Sequence, residues 1–356
     1  MNPPILGPRA VSAVTQRDDS PPEIGPKPDP GPSLSVVIPS RNRRAQVTAL
    51  VETLLIDPHI LEIVVVDDGS TDGTATALAE LAATDARVKV LIGRSDGGAL
   101  ARTDGAVHAT GDVIWFIDDD VMPDPGLPAM HLKHHLDRQR RVVVGYMPTR
   151  IPDERGPMGF ATVLYASEYE GRCAHYEQDP SGILRNLWMG NVSMRRDVYL
   201  DVTLRWPLPL PRFRHEDQNI GLRLLSTGSS AVFDRDIRAV HRHQRTMAQF
   251  RRDCRLDGAG IAALEAAYPD LVDDPGPSRF RLGLSRPVAA VVATASRPGA
   301  GVVIASTLAT MTRALGAARL FSAQTAVARL LRRVEQQAGY LTQSIAASDN
   351  RILATR

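Results

Sequence analysis

Cysteine is scarce in this 356-residue chain: Cys173 and Cys254 stand alone, with no C-x-x-C pair and no dense spacing. A multi-bridge scaffold is thereby excluded, and the two read as ordinary thiols in a reducing compartment, a single bridge between them staying open. Excess charge is absent too. The net charge is +2, the pI is about 8.6, and no basic run interleaves with aromatics, so no nucleic-acid partner is expected. The N-terminus lacks the basic-then-apolar profile of a signal peptide, since Pro3, Pro4, Gly7 and Pro8 interrupt it, and a cytoplasmic location is expected. Acid is nearly missing after residue 278, where only Glu335 and Asp349 occur. Long hydrophobic runs are lacking as well: Gly299 to Thr312 is uncharged but short and follows Arg297 and Pro298, which predicts a buried helix rather than a membrane span.

What remains is ordinary globular material, 43% hydrophobic and 23% charged, long enough for one large domain with an appendage or two smaller ones. Residues 1–33 carry nine prolines and no apolar periodicity, the texture of a polyproline-like tail or linker. From Leu34, short apolar, β-branched runs (34–38, 62–66, 88–92, 113–117, 142–144) alternate with helical patterns (about 43–56, 72–83 and 99–108). That rhythm predicts βαβ units, a mostly parallel Rossmann-like sheet with helices on both faces, and a nucleotide-binding half over 34–145. The periodicity weakens from 146 and returns at Leu187–Met194, a helix over about 217–226, a strand near 231–233 and a helix over about 246–267. These residues, 146–272, read as the acceptor half of one 34–272 domain. Residues 273–356 read as a helical extension in which Leu320, Val327, Leu331 and Val334 share a face and Arg319, Arg329, Arg332 and Arg333 lie largely elsewhere. Packing on the core or a homodimer is the first expectation for this amphipathic helix, with a peripheral membrane contact also open.

The strongest local signal is the apolar strand Ile114-Trp115-Phe116-Ile117 running into Asp118-Asp119-Asp120. In extended backbone i and i+2 share a face, so Asp118 and Asp120 are expected to converge while Asp119 points away. Two carboxylates at the carboxyl edge of a parallel sheet suit a divalent ion held jointly with substrate phosphates. Isolated, the same triad also reads as a solvated acidic turn before Pro123. A second strand ends in Asp67-Asp68-Gly69-Ser70, where acids can accept from a nucleotide's ring or ribose, and where Ser70 or Thr71 also fits a helix cap.

Taken in order, these segments resemble the family 2 glycosyltransferases with the GT-A fold, over roughly Leu34 to His243. The resemblance rests on SVVIPSRNR at Ser35–Arg43, VVVDDGSTDGT at Val64–Thr74, GGALARTDGAVHATGDVIWFIDDD at Gly97–Asp120, LWMGNVSMRRDVY at Leu187–Tyr199 and RHEDQNIGLRLLSTG at Arg214–Gly228. It implies a metal-dependent enzyme, a hexosyltransferase, that takes a sugar from a nucleotide diphosphate sugar. Pro39, Arg41, Asp68, Arg102, Asp118, Asp119 and Asn191 would bind that donor. Asp120, with Asp118 and His241, would hold Mn²⁺ or Mg²⁺, and Asp217, with Glu216 beside it, would be the general base of an inverting single displacement. Thr103 departs from the family, which often has Asn after the Arg of this segment; a minor donor contact is put in doubt.

Blander readings stand beside these roles. Gly190-Asn191 also fits a turn, Glu216-Asp217 also fits a helix N-terminus with favourable acids, and His241 and His243 near Arg238, Arg242 and Arg245 also fit a basic patch for a diphosphate. A sugar nucleotidyltransferase shares the sheet and the acids, but Pro39-Ser40-Arg41-Asn42 is not a Gly-rich basic loop for a triphosphate. A glycoside hydrolase has no use for a nucleotide site. A catalytically inactive sugar-nucleotide-binding partner protein is the remaining alternative. The acceptor, whether glycan, lipid carrier, peptide or small natural product, is not encoded in any of these motifs.

Overall fold

The computed structural model describes residues 31–354 apart from 96, 138, 154–155, 206–214, 270–274 and 298, with side chains described to residue 344. Most of the Pro-rich segment 1–33 lies outside the described residues. The order is β1 (Leu34–Ser40), α1 (Arg44–Leu54), β2 (Ile60–Asp67), α2 (Thr74–Thr84), β3 (Val88–Ile92), α3 (Gly98–His108), β4 (Val113–Ile117), β5 (Val121–Pro123), α4 (Leu127–Lys133) and β6 (Arg141–Tyr146). Then come α5 (Phe160–Gln178), β7 (Asn191–Arg195), α6 (Arg196–Leu204), α7 (Glu216–Ser226), β8 (Ser230–His241), α8 (Met247–Ala267), α9 (Arg286–Thr294), α10 (Ala300–Ala317) and α11 (Phe321–Ala354).

The strands form one eight-stranded sheet ordered β3-β2-β1-β4-β7-β6-β8-β5. The first four are parallel, as the alternating pattern predicts, while β7 runs antiparallel to both β4 and β6, and β5 runs antiparallel to the end of β8. Parallel strands covered on both faces read as continuous apolar runs, and every residue of β4 is buried. Their side chains alternate between two cores: Val36, Ile38 and Trp115 pack on one face, and Val37, Ile114 and Phe116 on the other.

A third core joins α5 and α8 to the C-terminal helices through Phe160, Phe250, Val292, Leu308, Leu331 and Val334. Here α8 and α11 approach to backbone contact, because Gly258 faces the Gln336 carbonyl and Gly339 faces the Arg255 carbonyl. Buried Glu335 accepts from both Arg251 and Arg255 across the same seam. Two expectations for this region need correction. Leu320 precedes α11 and is 56% exposed, because the chain turns there through Arg319 at φ 59°. The helix expected to be buried at 299–312 is α10, whose inner residues Ala305, Leu308, Ala309 and Thr312 are covered while Val302 and Val303 are about two-thirds exposed. Long and apolar enough to cross a membrane by length and composition, it is 28% buried.

Candidate active site

The carboxyl edge of β4 opens on a cleft of about 1110 Å³. β4 stops at Ile117, so the acids that follow leave extended geometry and the expected alternation fails: Asp118, Asp119 and Asp120 all line the cleft. Each has its own partner. Arg102, buried on α3, donates from Nη2 to Asp118 at 2.6 Å. Ser40, the last residue of β1, donates to Asp119 at 2.9 Å. Asp120 stands 3.2 Å from Nε2 of His241 and 3.5 Å from Nη2 of Arg43. Backbone fixes the histidine, since β5 pairs Val121 with His241 and the Arg242 N–H donates to the Asp120 carbonyl.

The opposite side comes from α7. His215 caps it at φ 74°, and Glu216 and Asp217 occupy the first turn, where the helix dipole favours negative charge. Asp217 accepts from the Met189 N–H at 2.9 Å and lies 3.6 Å from Nη1 of Arg102. Glu216 and Asp217 therefore share the cleft with the three strand-end acids.

Crowded carboxylates shift each other. Burial, reinforced by the Asp120 charge, raises Asp119 to about 7 against Ser40 and Arg43. Burial opposes the Asp120 charge as well, yet His241, Arg43 and Arg245 outweigh it and hold its pKa below the ordinary carboxylate value. Asp217 is raised to about 6 by burial, with Arg102 and the Met189 N–H pulling down and Glu216 pushing up. Around Arg102, Asp118, Asp217 and Glu216 overcome the cost of burial and hold the guanidinium firmly charged.

Several candidate residues are not brought to this cleft. Arg41 is exposed and outside its lining, because Asn42 turns at φ 54° and sends Arg43 to the acids instead. Asp68 is buried against the loop after β3, accepting from the Gly97 N–H at 2.9 Å. Asn191 lies in the sheet interior, where its side-chain oxygen accepts from Trp115 at 2.8 Å and pairs with His131 at 3.1 Å. Pro39, Arg102, Asp118, Asp119, Asp120, Glu216, Asp217 and His241 do line it. So do residues with no assigned role in the motifs: Tyr165 of α5, Trp188 and His215. Trp188 stands two residues before Gly190-Asn191, a position that the strand pattern alone could have flagged, whereas Tyr165 sits in a helix with little periodicity.

Residues 35–203, a little under half of the chain, match the family described as glycosyl transferase family 2. It is 29% identical over 176 residues to the glucosyl-dolichyl phosphate glucuronosyltransferase of Haloferax volcanii, covering 48% of this chain and 54% of that protein. It is 26% identical over 251 residues to the pre-mycofactocin glycosyltransferase of Mycobacterium tuberculosis, covering 69% and 51%. The chain spans between 14% and 54% of the length of these and other curated relatives. Among solved structures it is similar to the mannosyltransferase PcManGT from Pyrobaculum calidifontis, in complex with GDP-Man and Mn²⁺. That likeness has a TM-score of 0.55, covers 91% of each chain at 18% identity, and shows a shared GT-A fold.

Proposed function

We propose that the protein transfers a sugar from a nucleotide diphosphate sugar to an acceptor hydroxyl, with Asp217 as general base and with inversion at the anomeric carbon. The observation carrying this reading is that Asp217, raised to about 6, faces the same cleft as Asp118, Asp119 and Asp120 with Arg102 between them. A carboxylate tuned toward neutrality is a better proton acceptor than an ordinary one and is still ionised at pH 7.

Among the described residues no three His, Cys, Asp or Glu side chains form a ready-made cage for a cation. The Asp120–His241 pair fits the other mode, in which one or two protein ligands share a divalent ion with substrate phosphates. Asp120 and His241, with Asp118 near, would hold Mn²⁺ or Mg²⁺, and PcManGT carries Mn²⁺ with its GDP-Man. When bound, the ion supplies Lewis-acid stabilisation of the departing diphosphate. Arg102 adds a fixed positive charge beside Asp118. Asp217 takes the proton of the acceptor hydroxyl as its oxygen bonds to the anomeric carbon. The carbon–oxygen bond to the diphosphate breaks on the opposite side, and its electron pair leaves with the nucleotide.

Calorimetry with a panel of nucleoside diphosphates and their sugars, with Mn²⁺ or Mg²⁺ and with chelator, tests this for wild type and Asp120→Ala. Metal-dependent binding of one nucleotide, lost in the variant, is expected. A folded wild-type protein that binds none of the panel overturns the reading.

A further inference from the structure

Beside the cleft lies a second pocket of about 620 Å³ between α5, α8 and α11. The two merge, for Tyr165, Trp188, His243, Arg245 and Asp257 line both. Leu164 and Phe250 make an apolar floor. Tyr165 and Trp188, both half-buried, form a wall with ring centroids 5.4 Å apart, and Tyr165 also stacks on His243 at 4.3 Å. Around the rim the charges are already paired. Arg332 of α11 donates to Glu168, Arg245 donates to Asp253 at 2.9 Å, and Asp257 meets both His215 at 2.9 Å and Gln336 of α11 at 2.5 Å.

Resting on the transferase reading above, we propose that the acceptor is a carbohydrate whose pyranose ring stacks on Tyr165 and Trp188, in a pocket walled by α11. A sugar ring offers an apolar face to an aromatic wall and hydroxyl donors around its edge. Ionised carboxylates accept at several lone pairs at once, so Glu168, Asp253 and Asp257 can take such donors while keeping their cationic partners. The phosphate of a lipid carrier is a poor match, because it would face three carboxylates with both guanidinium groups engaged. The lining combines an apolar surface with a few placed polar groups, as small-ligand sites do. Asp217, the proposed base, lines the adjoining cleft.

Saturation-transfer NMR on the full chain tests this with methyl pyranosides of gluco, galacto, manno and N-acetylgluco configuration, and with geranyl phosphate as the lipid-carrier probe. Nucleoside diphosphate binding is followed in parallel on wild type, Trp188→Leu and Arg332→Ala, each checked for folding by circular dichroism. Expected is saturation of the ring protons of at least one pyranoside, weakened about tenfold in Trp188→Leu and reduced in Arg332→Ala, whose nucleotide binding stays at the wild-type level. The proposal is overturned if a chain that binds nucleotide saturates no pyranoside, if both variants bind pyranoside undiminished, or if geranyl phosphate alone is saturated. Pyranoside binding that weakens in the variants without any nucleotide binding removes the donor reading and leaves the pocket as a carbohydrate site.

Discussion

Arg102 and Asp217 stand 3.6 Å apart, and the same guanidinium holds Asp118 at 2.6 Å. One buried cation thus joins the strand-end acids, proposed to face the donor, to the proposed base. Arg102→Met should do two things at once. Loss of a charge aimed at a developing anion lowers kcat by about 10²- to 10³-fold. With its nearest cation gone, Asp217 should titrate above its present value of about 6, so the acid limb of the pH–rate profile moves to higher pH. A reduced rate with an unmoved limb would separate Arg102 from Asp217.

Asp217 itself is accessible to the same measurement. The base must be ionised to act, so kcat/KM should fall tenfold per pH unit below about 6 and level off above it. Asp217→Asn keeps the shape and the hydrogen bond from the Met189 N–H less well, but cannot take a proton. It should lose roughly 10²- to 10⁴-fold in kcat while metal-dependent nucleotide binding persists. Retention of near wild-type turnover would remove Asp217 from the chemistry.

These residues show where the sequence was legible. Local signals carried the parallel half of the sheet, because strands buried on both faces announce themselves as unbroken apolar runs, and the acids after Ile117 could be assigned to the sheet's carboxyl edge. Side-chain direction could not be read the same way. The resemblance placed Asn191 of the Gly-Asn pair at the donor, yet β7 runs antiparallel between β4 and β6, and that pairing turns its amide toward Trp115 and His131 in the interior. The choice between Arg41 and Arg43 hangs on a single positive φ at Asn42. α5 was missed because charges interrupt its buried stripe, and with it went Tyr165.

The network around Asn191 predicts a pH dependence of stability. His131 is lowered to about 3 and His135 to about 4, chiefly by burial, and His135 pairs with Ser193 at 2.9 Å. A histidine held neutral in the fold stabilises fully above its unfolded pKa of about 6.5. Below that value the unfolded chain binds more protons, and about 1.4 kcal/mol is lost per pH unit until the folded pKa is reached. Asp119 and Asp217, both raised, run the opposite way, so the readout is a difference between two proteins. Urea unfolding of wild type and His135→Gln should show the variant less stable at pH 7, with the gap closing by about 2 kcal/mol at pH 5. A gap independent of pH would mean that His135 is not held neutral.

The seam between α8 and α11 gives the last prediction. Gly258 and Gly339 each face the backbone of the opposite helix, and a Cβ on either would run into a carbonyl oxygen. An obstacle that is backbone cannot move aside as a flexible side chain would, so the helices must part, with overpacking costs typically of about 1–3 kcal/mol. An outward shift of α11 also carries Arg332 and Gln336 away from Glu168 and Asp257. Gly339→Ala, five or more positions from any residue lining the clefts on its own helix except Gln336, should therefore lower the melting temperature and also weaken pyranoside binding, leaving nucleotide binding intact. Thermal denaturation alongside the two binding measurements checks it. A variant destabilised by this amount with unchanged pyranoside affinity would show that α11 supports the fold without shaping the pocket.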